Sequence, residues 1–167
     1  MSTTTTRPWG VAFGLTLAAL SVSAAHAAEP SLGGTWILVA ADDLHPGGAR
    51  THGYGEAPKG RLIVDDQGRY SLQIFKAERP RFALADKRKG TAAEFESAVL
   101  GSSTHYGTVT IDAPAHVLTF RIEGASYPNW EGTEQKRRYE LKGEELSYQV
   151  PAAADGTIPI SVWKRVR

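Results

Sequence analysis

Residues 60–75 read GRLIVDDQGRYSLQIF. Two β-favouring runs, Gly60–Asp65 and Arg69–Phe75, flank the turn residues Asp65-Asp66-Gln67-Gly68. In the second run Tyr70, Leu72 and Ile74 alternate with Arg69, Ser71 and Gln73. A period of two places the apolar side chains on one face and the polar ones on the other. That pattern belongs to a strand with one buried face. Asp and Gly between two such runs are the chemistry of a hairpin.

The same grammar repeats outward along the chain. Thr35–Ala41, Thr104–Asp112, His116–Glu123, Gln135–Lys142, Glu145–Val150 and Ile158–Val166 read as six further strands. Leu118, Phe120 and Ile122 oppose Thr119 and Arg121, and Leu146, Tyr148 and Val150 oppose Ser147 and Gln149. Turn residues separate them at Asp112-Ala113-Pro114-Ala115, Lys142-Gly143-Glu144 and Asp155-Gly156. Half-buried strands joined by short turns predict an all-β fold, an eight-stranded antiparallel up-and-down β-barrel. Closure is favoured because it removes exposed strand edges. A barrel of that size holds a packed core or one small ligand.

One segment breaks the period. Thr91-Ala92-Ala93-Glu94 is a capping box, with Phe95, Ala98 and Val99 following at helical spacing. It predicts one short helix, Ala92 to about Gly101, in the long inter-strand connection between Phe75 and Thr104. Such a helix packs on the barrel or covers one of its mouths. Residues 42–58, rich in Gly and His, read as a second long loop.

The first 27 residues carry an address. Arg7 is the only charge before Glu29, an apolar run spans Val11 to Ala24, and Ala25-His26-Ala27 is a small-x-small site. Together they describe a signal peptide. The run is shorter than the roughly 20 residues of a membrane-spanning helix. The expectation is cleavage after Ala27, a single domain over residues 28–167 with no membrane span, and a periplasmic or secreted destination.

Composition excludes several function classes. The 167 residues hold 19 Lys and Arg against 18 Asp and Glu. There is no basic excess to follow a phosphate backbone, so no nucleic-acid partner is expected. The absence of Cys excludes disulfides, thiolate nucleophiles and Cys-ligated metals. His45, His52, His105 and His116 lack the spacing of a helical metal site, and no G-x-S-x-G elbow is present. No metal and no cofactor are implied.

Gly34-Thr35-Trp36, at the start of the first strand, resembles the lipocalin signature. In that family the Trp plugs the closed end of the barrel, beneath a basic residue from the last strand. The resemblance therefore assigns Gly34, Trp36 and Arg165 a structural role at that end, with Arg165 stacked on Trp36. A fuller resemblance lies in GTWILV (34–39), YGEAPKGRLIVDDQGRYSLQI (54–74), RPRFA (79–83), YPNWEGTEQKRRYEL (127–141) and VWKRV (162–166). These stretches look like the bacterial lipocalin-like domain family. That resemblance implies an eight-stranded barrel with a central cavity and a helix across one end, and it implies no reaction.

The candidate site residues are Arg81, His105, Tyr106, Asn129, Trp130 and Tyr139, drawn from a polar and aromatic set that also holds Gln73, Glu123, Gln135 and Arg137. An apolar cavity with a few placed polar groups is the form of a small-molecule site. Two placements stay open: these side chains line a cavity, or Trp130 and Tyr139 are core and the arginines lie outside. Arg79-Pro80-Arg81-Phe82 either holds a carboxylate at the mouth or anchors its own loop through Glu78 or Asp86. The leading expectation is a small apolar or amphipathic ligand in the interior. One rival is a cofactor-free isomerase or cyclase using Glu123 or His105 with Tyr106. The other is a protein-binding module acting through loops 76–90 or 42–58.

Overall fold

The computed structural model describes residues 1–4 and 31–166. The segment read as a signal peptide lies, beyond its first four residues, outside the described residues. Nine strands follow in order: β1 (Gly34–Leu44), β2 (Arg50–Thr51), β3 (Lys59–Val64), β4 (Arg69–Phe75), β5 (Ser102–Asp112), β6 (Val117–Ala125), β7 (Glu134–Lys142), β8 (Glu145–Gln149) and β9 (Ile158–Arg165). One helix, α1 (Ala92–Leu100), lies between β4 and β5. Each long strand pairs antiparallel with its neighbour in sequence, and β1 pairs with β9 to close the sheet into an eight-stranded barrel. β2 is a two-residue flap on the far end of β1, with Asp43 opposite Thr51.

The structure corrects two local readings. Residues 42–44 extend β1, and Arg50–Thr51 pair with it, so 42–58 is not one continuous loop. His116 belongs to the β5–β6 turn, where it is the one described non-glycine residue with positive φ, at 54°.

The two ends of the barrel differ. Tight turns at 65–68, 113–116 and 143–144 join strands at one end. At the other end run the longer connections 45–58, 76–101, 126–133 and 150–157. Short turns require special backbone, and Gly68 supplies it with φ of 75°. Its N–H bonds to the Asp65 carbonyl at 3.1 Å while Asp65 Oδ1 accepts from the Gln67 and Arg69 amides.

The closed end is filled by fully buried Trp36, Leu62, Leu118, Leu146 and Trp163. Each buried leucine contributes about 1.5–3 kcal/mol relative to exposure. Trp36 Nε1 donates to the Leu32 carbonyl at 2.8 Å. The Arg165 guanidinium lies 4.1 Å from the Trp36 ring and donates to the carbonyls of Ser31, at 2.6 Å, and Gly33.

α1 sits at the opposite, open end. Its capping box is complete: Thr91 Oγ1 accepts the Glu94 amide, and Glu94 Oε2 accepts the Thr91 amide at 2.7 Å. Glu94 Oε1 also accepts the Ala83 amide, which fastens the preceding loop to the helix. None of its residues is buried, and Phe95, Val99 and Leu100 remain exposed. It is a rim element tied to the β5 start through Ser102 Oγ and the Ala98 carbonyl, 2.9 Å apart, and it does not pack into the core.

Candidate functional site

Strand parity decides what faces the interior. On β4 Tyr70, Leu72 and Ile74 point inward. Leu72 pairs with His105 and Tyr70 with Gly107, so these β5 residues share the inner face. A bulge at Tyr106/Gly107 interrupts the β5–β6 ladder and adds Glu123 to β6. Gly107 occupies it at φ 154°, where a Cβ would stand 2.0 Å from the Arg121 carbonyl oxygen. On β7 the alternation brings Gln135, Arg137, Tyr139 and Leu141 inward and leaves Lys136, Arg138, Glu140 and Lys142 outside.

These strands enclose a cavity of about 720 Å³ beneath the open end. Its walls include Ala41, Leu72, Ile74, Trp130, Val150 and Ile160. Polar residues enter from β1 (Asp42, Asp43), β5 (Ser103), β7 (Gln135, Arg137) and β9 (Ser161). The volume lies within the ordinary range for small-molecule pockets, about 300–1,000 Å³.

Arg137 carries the unusual chemistry. It is only 7% exposed, and no carboxylate pairs with it among the described residues. Its Nη2 donates to Gln135 Oε1 at 2.7 Å and lies 3.4 Å from His105 Nε2. Its Nε has no partner. The guanidinium rests over Phe120 and Tyr148, 4.6 and 5.0 Å from their ring centroids. Cation–π contacts return about 0.5–2 kcal/mol each, against a desolvation cost of several kcal/mol for a buried ion.

His105, 3% exposed, is the buried polar group behind Arg137. Burial first, and the Arg137 cation second, push its pKa down to about 3, so the ring is neutral at physiological pH. Arg137 has only donors to offer. That sets the tautomer: Nε2 presents its lone pair to Arg137, and Nδ1–H donates to Tyr70 Oη, 2.7 Å away. Burial also raises the Tyr70 phenol above its ordinary value. Tyr148 Oη faces Ser161, Trp163 and Arg137, yet none of these contacts reaches hydrogen-bond geometry. Trp163 Nε1 is likewise unpartnered.

A separate cluster stands near the mouth. Asp42 is nearly fully buried and accepts from Arg50 Nε at 2.6 Å and from His52 Nδ1 at 2.9 Å. The bond to Asp42, with Glu56 adding to it, raises the His52 pKa. The pairing explains β2: it returns Arg50 and His52 to the carboxylate on β1.

Of the six residues singled out in the sequence, one lines the cavity, Trp130. His105 lies behind the wall, against Arg137, with its ring centroid 6.0 Å from that of Trp130. Tyr139 lies in the core, one strand-period below Arg137, against His116. Tyr106, 55% exposed, faces outward, its ring covering Gly124. Asn129, in the turn Pro128–Trp130, and Arg81 are exposed, and neither lines the cavity. Asp86 pairs with Arg88 in the same sequence neighbourhood, not with Arg81. Glu123 is exposed as well. Arg137 and Gln135 belong to the wider polar set but not to the six, and Ser161 belongs to neither. A period-two reading of β7 anchored on Tyr139 and Leu141 puts Arg137 inside.

The model of the lipocalin-like domain matches residues 33–166, nearly the whole described barrel. The chain belongs to the lipocalin-like domain family. No curated protein matches this lipocalin-like chain. Among solved structures, a single-residue variant of the fluorescent protein UnaG is similar at 16% identity, over 81% of this chain and 96% of that one, with a TM-score of 0.34. No helix among the described residues of the lipocalin-like domain is long and apolar enough to cross a membrane.

Proposed function

We propose that this lipocalin-like protein is exported and takes up a small, largely apolar molecule in its barrel. The observation that carries the reading is the cavity of about 720 Å³, walled by Leu72, Ile74, Trp130, Val150 and Ile160, beneath the end of the barrel where the long connections lie. Burying apolar ligand surface there supplies about 25 cal/mol per Å² removed from water. Export rests on the signal-like segment that ends at Ala27.

Native mass spectrometry of the protein purified from its own host, followed by denaturing extraction, tests both parts. The expected result is a chain beginning at Ala28 that carries a stoichiometric small molecule. Delipidated protein that leaves the neutral probe N-phenyl-1-naphthylamine in water at every concentration overturns the binding reading. A chain retained in the cytoplasm with residues 1–27 intact overturns export.

A further inference from the structure

Resting on the proposed cavity, we infer that its ligand is an amphipathic monocarboxylate, seated head-down with the carboxylate on Arg137 and the apolar tail toward the mouth. Arg137 lines the cavity, and no carboxylate pairs with it among the described residues. An uncompensated buried cation is costly, and an anion arriving from outside offsets that cost.

The surrounding atoms have the matching polarity. Arg137 Nε and Trp163 Nε1 are buried, unpartnered and able only to donate. Tyr148 Oη, also unpartnered, stands between them, with Ser161 beside it at the cavity wall. The neighbouring acceptors are taken: Gln135 Oε1 receives Arg137 Nη2, and His105 Nε2 faces the same nitrogen. Tyr148 Oη is the one unpartnered group of the three that can also accept, so donors outnumber free acceptors here, and an oxyanion redresses the balance. A planar guanidinium with its Nε edge free suits a planar carboxylate.

The path to the floor does not repel an anion strongly. Asp42, the buried acid of the lining, is bound by Arg50 and His52. Glu134 pairs with Arg121 at 3.1 Å. Asp43 faces the upper cavity, and the exposed Glu134 and Lys136 border it from the outward side of β7.

Isothermal titration of the purified protein with dodecanoate, dodecan-1-ol, dodecylammonium and dodecyl phosphate tests the assignment. These probes share one tail and differ in the head. Dodecanoate is expected to bind at least about tenfold tighter than the alcohol, the return on a charge-assisted bond. Arg137→Met fills a similar volume and is expected to erase that preference while alcohol binding changes less than about threefold. Tyr148→Phe removes only a hydroxyl and is expected to reduce the preference several-fold in a barrel that still folds. Equal binding of acid and alcohol means that water satisfies these donors, and it overturns the inference while leaving apolar uptake intact. Tighter binding of the ammonium or of the phosphate also overturns it. Failure of every probe overturns apolar uptake itself, and the inference with it.

Discussion

Acid should weaken this barrel earlier than its carboxylates alone would dictate, and His105 is the reason. In the folded protein burial and the Arg137 cation hold its pKa at about 3, while the ordinary value is 6.5. The unfolded chain therefore binds a proton that the folded chain refuses. The contribution to stability is complete above pH 6.5 and is lost as pH falls toward the folded value. At pH 4.5, two units below the ordinary value, the loss is about 2.7 kcal/mol, at roughly 1.4 kcal/mol per unit. His52 works in the opposite direction. Its raised pKa gives a contribution that is present at low pH and lost as pH rises through the raised value, and its exposed position keeps that small. The carboxylates with lowered values, Asp65, Asp86, Glu94, Glu140 and Asp155, act mainly below this window. Urea unfolding at steps between pH 7 and 4.5 reads the effect directly. His105→Gln keeps a polar side chain beside Arg137 and removes the titration, so its stability should be nearly level across the window. A level curve for the unaltered protein, or the same slope in His105→Gln, refutes the assignment of a neutral, desolvated imidazole.

Four further outcomes follow from the geometry. Arg165→Met loses the ring contact to Trp36 and the bonds to the Ser31 and Gly33 carbonyls; a loss of about 1–3 kcal/mol is expected in thermal unfolding, and Arg165→Lys should recover only part of it because an ammonium lacks the planar fork. Thr91→Ala removes the cap of α1 at a local cost of about 1 kcal/mol; amide exchange should quicken across the helix and leave the barrel strands unchanged, since α1 buries no residue. Gly107→Ala forces a Cβ against the Arg121 carbonyl at positive φ and should lower the stability read by urea unfolding by more than about 1 kcal/mol. The His52 ring should titrate by NMR with a midpoint above 6.5, and Asp42→Asn should lower that midpoint by removing its strongest partner.

Regular alternation made the strands readable. Tyr70, Leu72 and Ile74, or Leu118, Phe120 and Ile122, declare a buried face in the sequence, and the barrel uses those faces. The helix was readable for a different reason, because Thr91 and Glu94 cap each other locally and need no tertiary partner. β2 escaped because two residues cannot show a period; its existence depends on Asp42, a partner eight or more positions away. The inner face of β5 was hidden by the bulge at Tyr106/Gly107, which ends the simple count across the β5–β6 pair. Arg137 stands in the wider polar set with its direction left open: arginine on a strand is usually solvated, and only its alternation with Tyr139 and Leu141 places it inside. The residues that line the cavity come from β1, β4, β5, β7 and β9 and from the loops at the open end, and no single stretch of sequence contains them.

Closure through β1 and β9 bears on how the chain reaches its fold. Every other long-strand pair joins neighbours in sequence, but Trp36 must find Arg165 and Leu44 must find Ile158. The ring is completed when β9 pairs with β1 across the whole barrel, and this pairing carries the largest loop-closure cost. Until then β1 and β8 each expose an unsatisfied edge, and a growing chain is open to pairing with its neighbours. A chain stopped before Ile158 keeps the pairings from β1 to β8 but loses the β8–β9 hairpin and the closure. It should collect as edge-to-edge aggregates, which makes an intact β9 a condition for solubility as well as for shape.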